Sequence, residues 1–374
     1  MHSTRKLKIL HLTSHLDTGG ITSYIRLLGL AMSERGHRIS VLSAGGALAG
    51  KFAANGIKTP IFPVRKKSIV DPSLYMTLPG ISALIQKEKY DILHAHTRVT
   101  QALSFFLGRA NKVPVVTTCH GFYKRNLGRK LFPAWGSRVV AISEPVAQEL
   151  KKVHRVLESK IRVVPNAIDL KESVFRFSQH NAQEIRLRHK IPEGSIVVGC
   201  TARLVRDKGQ EILVRAIAEL LPTHPEIFLL LVGSGREKEN LEKTIRDLHL
   251  KGRVALVGQL EDISEALAVT DIFVHPAFHR EGFGLGIAEA MAVGRPVVIT
   301  DIPAINSIFR PGECSVMAKP ADVSSLAGAI RFLMEAPGEK VRIAQAGRHL
   351  VGSLCDVDRM ADQMEAIYRE LAPS

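Results

Sequence analysis

The chain alternates short apolar runs with amphipathic stretches over most of its length. In the first half, these runs predict six strands, at Leu7–Thr13, Arg38–Ser43, Asp91–His96, Val113–Cys119, Arg138–Ile142 and Ile161–Val164. In the second half they predict five more, at Ile196–Cys200, Ile227–Val232, Val254–Val257, Asp271–His275 and Pro296–Thr300. The runs are almost continuous in Val, Ile and Leu, and helical patterns such as Ile21–Glu34 and Ser143–Lys152 separate them. This pattern predicts parallel βα units whose strands are buried on both faces.

The length and the breaks in this pattern predict two domains. A chain of 374 residues exceeds what one hydrophobic core usually serves. We therefore expect Rossmann-like parallel-sheet domains at residues 1–170 and 195–355, facing each other across a cleft. The polar segment 171–194 is expected to connect them. Residues 356–374 contain an amphipathic, acidic stretch, Val357–Leu371, which predicts a final helix that packs back on the first domain.

Charge is distributed unevenly along the chain. Residues 1–170 hold 26 Lys and Arg against 9 Asp and Glu, whereas the remaining residues hold 25 against 27. A strongly basic half favours anionic partners, which include lipid headgroups, nucleic acid and phosphorylated substrates. Aromatic residues make up only 5% of the chain, which leaves few side chains for stacking on nucleobases.

Composition also indicates the compartment. No apolar run approaches the roughly 20 residues of a membrane span. The basic N-terminus lacks the apolar core and cleavage site of a signal peptide. The cysteines are far apart and include no C-x-x-C pair, so neither a disulfide framework nor a zinc site is expected. These features favour a reducing cytoplasm.

The most informative segment follows the predicted strand Asp271–His275. A glycine-rich turn, Glu281-Gly282-Phe283-Gly284-Leu285, opens a helical stretch that contains Glu289. Ligands of open parallel sheets bind at the carboxyl ends of the strands, and a glycine turn that opens a helix leaves backbone N–H groups for an anion. The segment therefore predicts a diphosphate site. Glu281 is placed to accept from sugar hydroxyls and Glu289, two helical turns deeper, from ribose hydroxyls. Either glutamate alone is more typical of a solvated surface.

Two further loops follow strands of the second half. Arg203 and Lys208 come after Ile196–Cys200 and offer positive charge for a phosphate leaving group, although either cation alone is typical of an ordinary surface. Gly233-Ser234-Gly235 follows Ile227–Val232. It does not complete the dinucleotide fingerprint G-x-G-x-x-G. We interpret it as a close approach of the backbone to a nucleotide.

The first half of the chain contains weaker candidates for ligand-binding residues. Gly19 and Gly20 follow the first strand and open a helix, which permits backbone contact with a phosphate or an acceptor. His120 lies at the carboxyl end of the predicted strand Val113–Cys119, where a structural role and a sugar-binding or acid–base role are equally compatible with its position. His94 and His96 end another strand. Their H-x-H spacing suits a metal, but no third ligand is evident from the sequence.

Together these motifs resemble family 4 of the retaining glycosyltransferases, which share the double-Rossmann fold called GT-B. The resemblance spans essentially the whole chain, and the glutamate pair with its glycine-rich interior is its most specific part. Its carriers are Gly19-Gly20, Thr118-Cys119-His120-Gly121, Val164-Pro165-Asn166-Ala167-Ile168-Asp169, Arg203 with Lys208-Gly209, Gly233-Ser234-Gly235, and Glu281-Gly282-Phe283-Gly284-Leu285 with Glu289. Ala167, Ala202 and His279-Arg280 depart from the family's usual residues.

The resemblance implies transfer of a sugar from a nucleotide-sugar, most often UDP-linked in the family, with retention of anomeric configuration and without a metal. It implies front-face attack with the leaving phosphate as the base. Glu281 would hold the donor sugar, Arg203 and Lys208 would stabilise the departing diphosphate, and His120 would lie near the transferred sugar. The expected donor-binding residues are Gly19, Gly20, Gly233, Gly235, Phe283, Gly284, Leu285 and Glu289, of which Glu289 binds the ribose.

The acceptor expected from the resemblance is a cell-envelope glycan or a lipid-linked precursor, as in lipopolysaccharide biosynthesis. The segment Tyr123–Trp135 interleaves cations with apolar residues and is typical of a surface at the lipid headgroup boundary, so peripheral membrane association is expected. Its cations are Lys124, Arg125, Arg129 and Lys130, and its apolar residues are Leu127, Leu131, Phe132 and Trp135. A solvated basic helix with a buried apolar side is equally compatible.

Other functions and one other motif need consideration. A nucleotide-sugar epimerase shares this fold, but the complete glutamate motif argues against it. A non-enzymatic module that binds nucleotides or nucleic acid is compatible with the charge, although the low aromatic content leads us to expect no nucleic-acid partner. Asp356-Val357-Asp358 is a D-x-D, the metal motif of another glycosyltransferase fold. Because it begins the predicted final helix, we interpret these aspartates as helix caps and expect no metal.

Overall fold

The computed structural model describes residues 5–66, 68–123, 127–279 and 281–372, so Lys124, Arg125 and Arg280 lie outside the described residues. The chain divides into two compact units, one formed by Met1–Ala167 with Val357–Ser374 and the other by Ile168–Asp356. Each unit contains one six-stranded parallel sheet flanked by helices. The prediction of two Rossmann-like parallel-sheet domains is therefore confirmed.

The first unit has a sheet in which most strands are buried on both faces, as the continuous apolar runs predict. Its strands are β1 (Lys8–Leu12), β2 (Arg38–Leu42), β3 (Ile92–Ala95), β4 (Val115–Cys119), β5 (Arg138–Ala141) and β6 (Ile161–Val163). Their order across the sheet is β2-β1-β3-β4-β5-β6. The helices are α1 (Gly20–Glu34), α2 (Ala49–Ala53), α3 (Pro72–Tyr75), α4 (Leu78–Glu88), α5 (Arg98–Asn111), α6 (Leu127–Leu131) and α7 (Glu144–Lys152), and a 3₁₀ turn covers Glu158–Lys160.

The second unit repeats this architecture. Its helices are α8 (Leu170–Gln179), α9 (Ala182–Arg188), α10 (Gln210–Leu220), α11 (Lys238–Asp247), α12 (Ser264–Val269), α13 (Leu285–Ala292), α14 (Pro303–Phe309), α15 (Val323–Glu335) and α16 (Pro337–Leu354), with a 3₁₀ turn at Arg206–Lys208. Its strands are β7 (Ile196–Thr201), β8 (Ile227–Val232), β9 (Val254–Leu256), β10 (Ile272–His275), β11 (Val297–Thr300) and β12 (Val316–Ala318). Their order is β12-β11-β10-β7-β8-β9.

The sequence did not predict β12. Its apolar run, Val316-Met317-Ala318, has only three residues and follows a polar turn, so it is shorter than the runs that predicted the other strands. Its register beside β11, which pairs Thr300 with Ala318, depends on a contact with the sheet that the local sequence does not show. The sheet therefore extends one strand further than its hydrophobic pattern indicates.

The segment 171–194, expected to be a connection, forms most of α8 and all of α9 and belongs to the second unit. Asp169 caps α8 by accepting from the Glu172 N–H at 2.8 Å. Asn181 caps α9 by accepting from the Gln183 N–H at 3.0 Å. Side-chain oxygens at such positions satisfy helix N–H groups that have no intrahelical partner, which explains why this polar stretch is helical.

The final helix, α17 (Val357–Leu371), belongs to the first unit. Its apolar face joins the core beneath α1, where Met364 and Tyr368 are fully buried. Its acidic side chains meet arginines of that basic unit. Arg35 lies 2.8 Å from Asp362, and Glu370 pairs with Arg138 and Arg162. Apolar burial therefore anchors the helix, while the partly exposed ion pairs add little to its stability.

Candidate functional site

The second unit gathers most of the predicted site residues at one edge of its sheet. Strand β7 lies between β10 and β8, which is where the strand order reverses, and all three strands are parallel. The loops that follow them therefore emerge side by side. In open α/β sheets this reversal point is where ligands bind.

Backbone hydrogen bonds join the loops after β7 and β8. The Ala202 N–H donates to the Val232 carbonyl at 3.0 Å, and the Leu204 N–H donates to the Ser234 carbonyl at 2.9 Å. Gly233 packs so closely on the Ala202 carbonyl that a Cβ at position 233 would collide with it. The packing of these two loops therefore accounts for the glycine at position 233, and the predicted approach of Gly233-Ser234-Gly235 to a nucleotide stays a prediction.

The loop after β10 packs against the other side of the β7 loop. The Phe278 N–H donates to the Asp207 carbonyl at 3.2 Å. Gly209 has a left-handed φ of +70°, and a Cβ there would collide with the Pro276 carbonyl. Only glycine accommodates both constraints without strain. These contacts place Lys208, which precedes Gly209, beside the turn that begins at Glu281.

Lys208 and Glu281 form an ion pair across this loop contact. Lys208 Nζ donates to Glu281 Oε2, and both side chains are largely buried, with 20% and 17% exposed. His275, the last residue of β10, places its Nε2 atom 3.5 Å from the same carboxylate oxygen. The three side chains form a compact group around this carboxylate oxygen at the carboxyl edge of the sheet.

This environment keeps Glu281 ionised. Burial acts to raise the pKa of Glu281, but the contact with His275 and the positive charge of Lys208 outweigh it, so the pKa lies well below its ordinary value. The Gly282 N–H also donates to Glu281 Oε1 at 3.2 Å. A carboxylate held in this way accepts hydrogen bonds from hydroxyl groups at any physiological pH.

The turn after Glu281 leads into α13 with its backbone donors free. Gly284 immediately precedes the helix, and within the described residues the N–H groups of Phe283, Gly284 and Leu285 donate to no carbonyl. The Phe283 ring is buried against Phe309, with ring centroids 6.0 Å apart, which fixes the turn. Free N–H groups at a helix start attract anions.

Glu289 lies on α13 and differs sharply from Glu281. Its carboxyl group has no hydrogen-bond partner in the part of the chain that the structure describes. Burial, with a smaller effect from the Asp262 carboxylate, raises the pKa of Glu289 to about 8. A partly buried carboxyl group without a protein partner is able to form hydrogen bonds with hydroxyl groups of a ligand.

Arg203 is exposed, and its loop is fixed through the backbone rather than the side chain. The Gln210 amide donates to the Arg203 carbonyl at 3.0 Å. The guanidinium itself makes no hydrogen bond or ion pair within the described residues. Unlike Lys208, it therefore remains available for an anionic ligand.

The first unit holds the remaining candidates. Gly19 precedes α1 and Gly20 begins it, and both are exposed. His120 directly follows β4 and belongs to a cluster with His11, His94 and His96. The sequence missed the place of His11 in this cluster. The register of β1 and β3 pairs His11 with His94, so a histidine near the end of β1 was the available signal.

The cluster also bears on metal binding, because His11 supplies the third imidazole that the sequence did not reveal. Ligand atoms of His11, His94 and His96 lie within 4.8 Å of one another, and this is the one such group of three or more among the described residues. His94 bonds through both ring nitrogens, at 2.7 Å to the Tyr368 hydroxyl and at 2.7 Å to the Thr118 hydroxyl. A metal would have to displace such hydrogen bonds.

His275 is the second residue that sequence reasoning missed. It is 4% exposed and contacts Glu281 from the end of β10. The signal was its position at the carboxyl end of a strand six residues before Glu281. A histidine in an apolar strand is usually structural, so this position alone does not indicate a functional site.

The basic segment before β5 differs from expectation. Arg129 is 6% exposed, its guanidinium lies 4.0 Å from the Tyr123 ring centroid and 4.8 Å from that of Trp135, and it donates to Gln101 at 3.3 Å. Trp135 is also buried. The expectation that Arg129 and Trp135 belong to a membrane-facing surface is therefore wrong, since cation–π contacts place both in the interior. Lys130 and Leu131 are exposed.

No helix in the described ranges has the length and apolar character needed to cross a membrane. Cys119, Cys200, Cys314 and Cys355 are all free and buried, so none of them forms a disulfide. Asp358 at the start of α17 lies 3.4 Å from Arg35. Neither it nor Asp356 belongs to the group of potential metal ligands identified among the described residues.

Two family models match the chain, one for each half. Residues 18–172 match the model described as Glycosyltransferase Family 4, and residues 181–350 match the model described as Glycosyl transferases group 1. Together the two matches cover both units of the structure. They favour neither the epimerase nor the nucleic-acid-binding alternative.

Individual relatives match most of the length of the chain. N-acetyl-alpha-D-glucosaminyl L-malate synthase of Bacillus anthracis is 25% identical, covering 98% of this chain and 97% of the relative. UDP-Gal:alpha-D-GlcNAc-diphosphoundecaprenol alpha-1,3-galactosyltransferase of Escherichia coli is 28% identical over 79% of each chain. The crystal structure of Anabaena HepE in complex with UDP and glucose has a TM-score of 0.83 and 22% identity, covering 98% of this chain and 100% of HepE.

Proposed function

Since the chain belongs to the group 1 glycosyltransferases of family 4, we propose that it transfers a sugar from a UDP-sugar, with retention of anomeric configuration and without a metal. The Lys208–Glu281 ion pair beside the free N–H groups that open α13 carries this proposal. This arrangement supports the proposal because an ionised carboxylate can accept from sugar hydroxyls, and a cation beside a helix start suits a diphosphate.

The donor fits this site by its chemistry. The amides of Phe283, Gly284 and Leu285 bind sugar and phosphate oxygens, Glu281 accepts from sugar hydroxyls, and Glu289 binds the ribose. Gly233 and Gly235 keep side chains away from the nucleotide. The choice of UDP is supported by the crystallised complex of HepE with UDP and by the UDP-Gal named for the Escherichia coli relative.

Catalysis in this proposal depends on stabilising the leaving group. Arg203 and Lys208 offset the negative charge that develops on the departing diphosphate, which replaces the function of a metal. The diphosphate oxygen then takes the proton of the attacking hydroxyl on the same face of the sugar, so no separate base is needed. A contact of His120 with the transferred sugar, and of Gly19 and Gly20 with phosphate or acceptor, belongs to the same proposal.

The acceptor we propose is a glycan or lipid-linked precursor of the cell envelope, presented at the inner face of the cytoplasmic membrane. The diphosphoundecaprenol named for the Escherichia coli relative supports a lipid-linked acceptor. The first unit, including its final helix, carries 28 Lys and Arg against 12 Asp and Glu, which favours anionic acceptors and anionic lipid.

The test is a transfer assay in excess EDTA with a panel of UDP-, GDP- and ADP-sugars and a short isoprenoid diphosphate glycan. We expect UDP release from one UDP-sugar, and an α-linked product from an α-linked donor by NMR. Binding of a nucleotide-sugar without any release of nucleotide would instead identify a binding module. Activity lost in EDTA and restored by Mg²⁺ or Mn²⁺ would refute the metal-free mechanism, and a β-linked product would refute retention.

A further inference from the structure

Three histidines of the first unit form a hydrogen-bonded chain that ends at the carboxyl edge of the sheet. His11 Nδ1 lies 2.9 Å from His96 Nε2, and His96 Nδ1 lies 3.0 Å from His120 Nε2. His11 and His96 are 0% and 1% exposed, whereas His120 is only partly buried. We call these three residues the histidine chain. It runs from the core to a residue that our proposed function places at the sugar.

All three rings are neutral at physiological pH. Burial lowers the pKa of His11 and of His120 to about 3. Burial, together with the repulsion that protonated neighbouring histidines would exert, holds the pKa of His96 well below its ordinary value. A neutral imidazole carries one N–H and one bare nitrogen. The two hydrogen bonds of the chain therefore fix the tautomers of all three rings together.

Only two proton arrangements satisfy both hydrogen bonds. In the inward arrangement, His120 Nε2 donates to His96, His96 Nε2 donates to His11, and His11 Nε2 carries the last hydrogen. In the outward arrangement, His11 Nδ1 donates to His96, His96 Nδ1 donates to His120, and His120 Nδ1 carries the last hydrogen. The arrangements differ in which end of the chain holds a free N–H.

The surroundings of His11, at the interior end of the histidine chain, distinguish the inward from the outward arrangement. His11 Nε2 is buried and has no hydrogen-bond partner in the described part of the chain. The inward arrangement would leave an N–H group there without an acceptor, which native proteins rarely tolerate, whereas the outward arrangement leaves only a bare nitrogen. The outward arrangement is therefore the more stable one.

We infer that His11 and His96 are positioning residues that hold His120 as a neutral hydrogen-bond donor through Nδ1–H. His120 thus donates to a hydroxyl or phosphate oxygen of the substrate and does not act as a general base. This inference deepens the proposed function, because it rests on His120 touching the substrate. The tautomer of His120 is nevertheless a property of the ligand-free protein.

The direct test is NMR of the full-length protein with ¹⁵N-labelled histidine, in which two-bond couplings distinguish the two tautomers of each ring. His→Gln substitution at each of the three positions assigns the signals. We expect the Nδ1–H tautomer at His120, His96 and His11. An Nε2–H tautomer or an imidazolium at His120 would overturn the inference, whether or not the protein transfers sugar.

Variants at position 96 connect the tautomer to catalysis. His96→Asn keeps a donor at the position of Nδ1, whereas His96→Leu keeps none. We expect His96→Leu to give mixed tautomers at His120 and a fall in kcat of about tenfold, with UDP affinity unchanged. His96→Asn should restore the Nδ1–H tautomer and most of kcat. Equal behaviour of the two variants would overturn the positioning role.

Two controls complete the test. His37, another buried histidine of this unit, accepts from the Leu7 N–H at 3.0 Å, and His37→Asn should leave the His120 tautomer unchanged. If His96→Leu does not fold, the wild-type spectrum alone decides.

Elemental analysis of the protein tests the alternative that these histidines bind a metal ion. One transition-metal ion per chain, lost in His11→Gln, would overturn the hydrogen-bonded chain and identify a metal site.

Discussion

Lys208 Nζ donates to Glu281 Oε2, so the two charged side chains of the candidate donor site neutralise each other in the ligand-free protein. They are 73 residues apart in sequence and meet because the loops after β7 and β10 pack together. A diphosphate at the start of α13 would compete for Lys208 and release part of the Glu281 carboxylate for the sugar. In the ligand-free protein Lys208 and Glu281 are therefore paired with each other, and a bound diphosphate would separate them.

The two glutamates should affect different stages. Glu281→Ala should lower kcat by about 10² or more because contacts to the sugar matter most as the bond breaks. UDP affinity should persist or rise, because Lys208 loses its partner. Glu289→Ala should instead raise the Kd for UDP about tenfold, since a ribose contact exists before the reaction. Calorimetry with UDP and turnover assays separate the two effects, and equal losses of UDP affinity would contradict the assignment.

Arg203 and Lys208 should both support departure of the diphosphate. Single alanine variants should lose about 10²–10³ in kcat. Lys208→Ala should additionally move the acid limb of the pH–rate profile to higher pH, because the burial that raises the pKa of Glu281 would no longer be offset by the lysine charge. Arg206, exposed in the same loop, provides the matched control. Near-wild-type turnover in both alanine variants would show that Arg203 and Lys208 are only surface cations.

Glu289 should make stability depend on pH. Its pKa is about 8 in the folded chain against 4.5 ordinarily. Between these values the folded state keeps a proton that the unfolded chain has lost, so stability falls as pH rises from about 4.5 to 8 and then levels off. The melting temperature of Glu289→Gln should therefore rise relative to that of wild type as pH increases. We expect a gain of several degrees, which corresponds to roughly a few kcal/mol in the free energy of unfolding. The exposed Glu239→Gln serves as control, and parallel pH profiles for wild type and Glu289→Gln would contradict this.

The basic unit should bind anionic lipid. The protein is expected to sediment with vesicles that contain phosphatidylglycerol and not with neutral vesicles. Raising the salt should release it, as the Debye length falls from about 10 Å at 0.1 M to 3 Å at 1 M. Neutralising Lys124, Arg125 and Lys130 together should weaken vesicle binding and leave UDP affinity unchanged. Arg129 is omitted because it is buried.

The control for vesicle binding takes the same number of cations from the second unit. Lys238, Lys243 and Arg246 are exposed on α11, and their neutralisation should leave vesicle binding intact. Binding that ignores lipid charge, or no binding at low salt, would exclude an electrostatic membrane contact. A water-soluble acceptor would then be the better proposal, and the glycosyltransferase assignment would be unaffected.

The sequence by itself determined the features that depend on local patterns. Continuous apolar runs located eleven of the twelve strands, because strands buried on both faces leave an unbroken hydrophobic signal. The amphipathic stretch Val357–Leu371 coincides with α17. The glycine turn between Glu281 and Leu285 indicated where α13 begins and which chemistry to expect there. Each of these signals lies within one continuous stretch of the sequence.

Only the tertiary structure decided which distant residues meet. No local pattern shows that Lys208 contacts Glu281, that His11 joins His96 and His120, or that Arg129 contacts two aromatic rings. These contacts arise from strand order and register, which bring the ends of non-consecutive strands together. The free energy of a charged side chain depends on its neighbours in space, so its protonation and its role become defined only once the sheet has formed.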